Sequence, residues 1–158
     1  MWIPAFAGMT YRGSSGMIHP GREMETGQSN RSESREPRMV KPIGIVACSV
    51  EGAALCYRTI GVEGEKYLGR HAHPEISLHT HPLGEYMKSI EAADWDGVAR
   101  LMLDSVGKVA AIGAAFAVCP DNTIHQAFEL VQPHSPIPWL HIAEVVAQEA
   151  QRHRFHKV

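Results

Sequence analysis

Four short stretches of this 158-residue chain concentrate side chains able to move protons or to hold a carboxylate: Cys48-Ser49-Val50-Glu51, Thr80-His81-Pro82, Cys119 to His125, and His141. The third is the richest, placing a thiol, a carboxylate, an amide, a hydroxyl and an imidazole within seven residues. Where such a run joins a strand to a helix, the first backbone N–H groups of the helix can hold an anion and lower the pKa of a neighbouring thiol. A thiolate there acts as a base, which makes Cys119 the candidate proton acceptor. A structural reading stands beside it, with Asp121 and Asn122 as turn and cap residues and Cys119 as a small buried hydrophobe. The residues alone leave both open.

Cys48 also ends an apolar run and would approach Cys119 if their strands were neighbours, as a substitute second base or as a packed core residue. Cys56 falls on a helix face and reads as core. His71-x-His73 and His79-x-His81 each place two imidazoles on one face of an extended chain, a spacing that zinc sites use. Neither pair has a clear third ligand, and His79 lies in a strand expected to be buried, so no metal is assigned. His125 and His141 are expected to hydrogen-bond the turns that carry them. Gly44-Ile-Val-Ala-Cys-Ser49 lacks the glycine pattern of a dinucleotide or phosphate loop.

These stretches interrupt a regular alternation. From Ile43 onward short apolar runs alternate with longer amphipathic ones, which predicts an α/β fold, a single three-layer domain with a four-stranded parallel sheet. Strands are expected over 43–47, 75–80, 114–119 and 137–141, with helices over 52–67, 83–91, 95–112, 122–131 and 143–154. Ser49 and Asp94 are placed to cap the helices that follow them. Val98, Leu101, Met102, Val106, Val109 and Ile112 share one face of the 95–112 helix. In a sheet of this kind ligands bind at the carboxyl ends of the strands, where all four polar stretches fall.

Residues 1–38 are rich in Gly, Ser, Arg, Glu and Pro without periodicity and read as a disordered or spurious leader. Their opening resembles peptides translated from bacterial intergenic repeats. Composition changes at Met39, which is read as the start of the domain, 39–158. A chain that is 44% hydrophobic and 20% charged, with a net charge of −2, has the balance of a globular protein and no block suited to nucleic acid or an anionic membrane. No apolar run approaches the roughly 20 residues of a membrane helix. Three cysteines without a paired framework point to free thiols and a cytoplasmic location.

The run from Ile43 to Arg58 resembles the opening of aspartate/glutamate racemases, in which a first strand is followed by Gly-Gly-Met-Ser-x-Glu-Ser-Thr and a Tyr-Arg on the next helix. Cys119-Pro-Asp-Asn-Thr-Ile-His125 is similar to that family's Cys-Thr-Asn-Thr-Met-His, and Ile137-Pro-Trp-Leu-His-Ile142 to its Ile-Pro-x-Leu-His-Ile. Two departures stand out. Aligning Asn122-Thr123 with the family's Asn-Thr puts Pro120 in the cysteine's place, and Gly52-Ala53 replace a hydroxyl-bearing Ser-Thr.

The resemblance implies one half of a fold of two similar α/β domains, with substrate between them and one catalytic cysteine from each. One thiol removes the α-proton and the other returns one to the opposite face, without cofactor or metal. It implies Cys119 as the first base, Ser49, Asn122 and Thr123 as contacts to the substrate carboxylate or amine, and a small acidic amino acid as substrate. The second domain, with its Gly-Cys-Thr-Glu motif, is not found in the chain. The expectation is therefore a truncated racemase domain, possessing one base and incomplete alone, with a non-catalytic half-domain that binds a carboxylate or a partner protein as the alternative. The face left by the missing half is expected to expose apolar residues and to favour a homodimer.

Overall fold

A computed structural model describes residues 40–155; the leader reading for 1–38 lies outside the described residues. The strands are β1 (Ile43–Ala47), β2 (Ile76–Thr80), β3 (Phe116–Val118) and β4 (Trp139–Leu140). The helices are α1 (Val50–Leu68), α2 (Leu83–Glu91), α3 (Trp95–Ala111), α4 (Phe128–Val131) and α5 (Ile142–Arg152). All strand pairs are parallel and the order is β2-β1-β3-β4. β1 is central and apolar on both faces, and all five of its residues are buried. β2 lies at the edge and is only partly covered. The expectation that His79 is buried within the sheet is thus corrected: an edge strand has only one neighbour, and His79 is half-buried.

The period of two along each strand divides the core. Ile43, Ile45 and Ala47 of β1, with Phe116 and Val118 of β3, pack with Ala53 and Ile60 of α1. Val46 and Ala117 pack on the opposite face with Val106 and Val109 of α3. A third cluster gathers Cys48, Tyr86, Val98, Met102, Cys119, Ile124, Phe128 and Val131 around the upper end of α3. Helices therefore cover both faces. Side chains such as Met102, Ile45 and Ile124, fully removed from solvent, each contribute about 1.5–3 kcal/mol of burial. A Cβ on Gly44 would come within 2.7 Å of Val109 Cγ2, so only glycine lets α3 lie this close to β1.

Capping follows the sequence. Ser49 Oγ accepts from the Gly52 N–H at 3.2 Å, and Asp94 Oδ1 accepts from the Gly97 N–H at 2.8 Å. α2 spans the expected residues, and α3 ends one residue early. β3 keeps only three of the six residues expected, and two further elements differ. The helix expected over 122–131 is a 3₁₀ turn, Thr123–Ala127, followed by the single α-turn of α4 and a second 3₁₀ turn, Gln132–His134. Pro133 lies in that last turn, where its missing N–H and the clash of its ring with the carbonyl one turn earlier work against continuing an α-helix. β4 shrinks to two residues because Pro136 and Pro138 have no N–H to give a ladder. Pro138 still accepts from the Ala117 N–H at 2.8 Å.

Candidate functional site

From β1 the chain crosses to β2 on one side, and its next strand, β3, pairs with the other side of β1. That reversal makes the carboxyl ends of β1 and β3 a topological switch point, where open α/β sheets bind ligands. The turns there are Cys48-Ser49 and Cys119 to Asn122. The structure brings them together through a residue whose long-range role the sequence does not reveal. Asp121 Oδ2 accepts from the backbone N–H groups of both Cys48 and Ser49, each at 3.1 Å. Asp121 is a cap, as one reading held, but of a helix whose N-cap residue, Ser49, lies 72 residues earlier. An anion at the start of α1 also meets the positive end of the helix dipole.

The close approach of the two turns explains Gly52. A Cβ there would lie 2.9 Å from the Pro120 carbonyl oxygen and 2.9 Å from Ser49 Oγ. The hydroxyl-bearing side chain of the family motif does not fit against this turn.

The four expected site residues divide three to one. Ser49 is half-buried at the start of α1, its Oγ already accepting from Gly52, while Asn122 and Thr123 are exposed at the mouth of the β3 turn. Asn122 makes no capping bond with its side chain. These three stand at the switch point with polar groups available. Cys119 does not face it openly. Cys119 is 2% exposed, packed in the cluster with Tyr86, Met102 and Ile124, and its thiol donates to the Asp121 carbonyl oxygen at 3.8 Å. Burial is the main cause that pushes this thiol well above the ordinary cysteine value, and the Asp121 and Cys48 charges add to it. In this conformation Cys119 is held neutral.

Cys48 lies in the same cluster, as strand neighbours β1 and β3 require, and burial together with Asp121 raises its pKa to about 11. Both thiols belong to one buried cluster on the same side of the sheet, not to opposite sides of an open cleft. The packed-residue reading fits Cys48 better than the second-base reading. Cys56, on α1, is likewise raised to about 11 by burial. His125 Nδ1 lies 2.6 Å from the Asp121 carbonyl oxygen, and His141 Nδ1 accepts from the Ala143 N–H at 3.2 Å, so both brace turns as expected. Desolvation is the first cause lowering the His125 pKa; its Nε2 is buried without a partner.

Of the two histidine pairs, His71 has φ 62° and His73 turns back to the Pro74 carbonyl at 2.8 Å, so that segment is not extended. His79 and His81 do converge, with ring centroids 4.9 Å apart. The sequence reading found no third ligand for them. Asp104 supplies one from α3, its Oδ2 2.7 Å from His81 Nε2. A ligand on a different element, a full strand-to-helix passage away, has no signal in local spacing.

Among the described residues no helix is long and apolar enough to cross a membrane. Among curated proteins none matches the chain. Two crystal structures share its fold: a candidate Asp/Glu racemase from Yersinia pestis, 24% identical with a TM-score of 0.68, and an aspartate racemase homologue from Pyrococcus horikoshii, 23% identical with a TM-score of 0.63. Each comparison covers 72% of this chain and 50% of the other, so the chain spans about half the length of both. The family model described as Asp/Glu/Hydantoin racemase matches residues 43–158, from the first residue of β1 through both turns of the switch point. The chain belongs to the Asp/Glu/Hydantoin racemase family.

Proposed function

We propose that this chain is a cofactor-independent, racemase-type isomerase domain that binds a small acidic amino acid of the aspartate/glutamate kind at the β1/β3 switch point. The observation that carries this reading is the pair of backbone N–H groups, Cys48 and Ser49, that already hold one carboxylate. A substrate carboxylate matches the Asp121 side chain in charge and geometry, and Ser49, Asn122 and Thr123 are the groups that would complete its contacts. Displacement of Asp121 would shift the carbonyl to which Cys119 donates, opening a path to the thiol. As thiolate, Cys119 would accept the substrate α-proton. Return of a solvent-derived proton from the same sulfur exchanges the α-hydrogen, whereas inversion needs a second acid on the opposite face.

The second reading is a non-catalytic domain that binds a carboxylate or a partner protein. The 2% exposure of Cys119 favours it. So does α1, which leaves Val50, Leu55, Tyr57 and Val62 more than half exposed, at 65%, 63%, 51% and 60%, a surface suited to a second copy of the chain. Proton NMR of L- and D-aspartate and glutamate in deuterated water, with wild type and Cys119→Ser, separates the two. Loss of the α-proton signal that requires Cys119 supports the racemase reading. Folded protein that exchanges none of the four amino acids supports the binding domain, and sedimentation then reports whether α1 pairs two chains.

A further inference from the structure

The edge of the sheet carries a second cluster, separate from the switch point. His79 and His81 at the end of β2 and Asp104 on the facing side of α3 bring two ring nitrogens and a carboxylate oxygen within 4.8 Å of one another. We propose that these three residues form a site for a divalent transition-metal ion, zinc(II) by the chemistry of the ligands. Two imidazoles and one carboxylate leaving a position open to water is a zinc donor set. Zinc bonds of about 2.0–2.2 Å in tetrahedral geometry put donor atoms roughly 3.3 Å apart. His81 Nε2 and Asp104 Oδ2, now at 2.7 Å, separate slightly to admit the ion.

The surroundings of both imidazoles support the assignment. A ligating histidine usually directs its other ring nitrogen to an oxygen that fixes its orientation. His79 Nδ1 lies 2.9 Å from Ser105 Oγ, and Ser105 is fully buried, so this partner is immobile. His81 Nδ1 faces Glu85 Oε2 in the first turn of α2 at 3.8 Å, an ion-pair distance and not a hydrogen bond. In each ring the remaining nitrogen, Nε2, is left for the ion. His81 Nε2 is inaccessible to solvent and faces Asp104 Oδ2 at 2.7 Å. An imidazole nitrogen and a carboxylate oxygen facing each other this closely, with the second imidazole beside them, are donors that one cation can bridge. Lys108 opposes loading, since its Nζ sits 2.5 Å from the same Asp104 oxygen. It is half-exposed and on a flexible stem, so the ion displaces it into water.

The test is titration of the full chain with cobalt(II), read by visible absorption, followed by displacement with zinc(II). Wild type is expected to bind one ion with a spectrum of nitrogen and oxygen ligation. Asp104→Asn and His81→Ala should each weaken binding by at least the ~10–100-fold that loss of an outer partner costs, and Ser105→Ala by about 10-fold. Lys108→Gln should tighten it, because a competing ammonium is removed; an ion-pair network without metal affinity gives no such gain. His71→Ala serves as the control and should bind as wild type does. Asp104 and Lys108 are exposed, so their variants keep the fold, which far-ultraviolet circular dichroism verifies. Binding unchanged by Asp104→Asn and His81→Ala, a thiolate-to-cobalt charge-transfer band, or no saturable binding would each overturn the assignment.

Discussion

Two carboxylates at the same end of the molecule have opposite surroundings. Asp121 directs its charge inward, joining the β3 turn to the two amides that lead into α1, beside Gly52 and the buried thiols. Asp104 stands on the rim beside β2, half in water, shared between His81 and Lys108. The first carboxylate closes a junction between strands that must stay in register; the second sits where an edge strand leaves polar atoms uncovered. Proximity to a strand end therefore does not define one environment, and the degree of backbone involvement separates a structural carboxylate from one available to an external ligand.

Substitution of the two acids sharpens that contrast most. Asp121→Ala strands two N–H groups at the start of α1 and should lower stability by about 2–3 kcal/mol, the scale of hydrogen bonds to a charged acceptor. Asp104→Asn should leave the urea midpoint almost unmoved, because exposed ion pairs contribute little. Equal midpoints for the two variants would break the comparison. Next in size is Gly52→Ala, which should destabilise by about 1–2 kcal/mol through collision with the Pro120 carbonyl. Gly61→Ala, on the same helix with nothing within 4 Å of its added methyl, should instead stabilise by about 0.5–1 kcal/mol.

A smaller effect is expected from pH. Burial holds the His125 imidazole below its ordinary value of 6.5, so the unfolded chain takes up a proton more readily than the folded one. The His125 contribution to stability is therefore fully present above pH 6.5 and is lost as pH falls from there through the lower folded value. His125→Gln should flatten that part of the stability curve in denaturant melts collected across the range. An unchanged curve would mean that the ring reaches water. The thiols give the least dramatic readout: at neutral pH, Cys48 and Cys56, both raised to about 11, should alkylate with iodoacetamide far more slowly in folded than in unfolded protein.

The local patterns were legible where one element settles its own form. α2 spans Leu83–Glu91 and α3 begins at Trp95 behind Asp94, because the apolar spacing and the cap lie within a few residues of one another. β4 was overread because its apolar residues are interleaved with prolines, which supply hydrophobicity but no ladder donors. The site was legible only in outline. Sequence placed Ser49, Cys119, Asn122 and Thr123 at strand ends, yet not the direction of Cys119, which the pleat turns into the α3 layer along with Cys48 and Ala117. Nor could spacing reveal the bond from Asp121 across 73 residues to Cys48, or the 26 residues that separate His79 from the serine orienting it. Those contacts exist only once strand order is fixed.

The Asp121 bridge makes the switch point a place of competition. Any visiting carboxylate that seeks the Cys48 and Ser49 amides meets a rival on a tether, present at the millimolar effective concentrations typical of short linkages. The affinity measured for such a visitor is its intrinsic affinity reduced by the fraction of molecules in which the tethered arm has let go. Shortening or neutralising that arm is thus a way to tune occupancy without altering a single group that would touch the visitor itself.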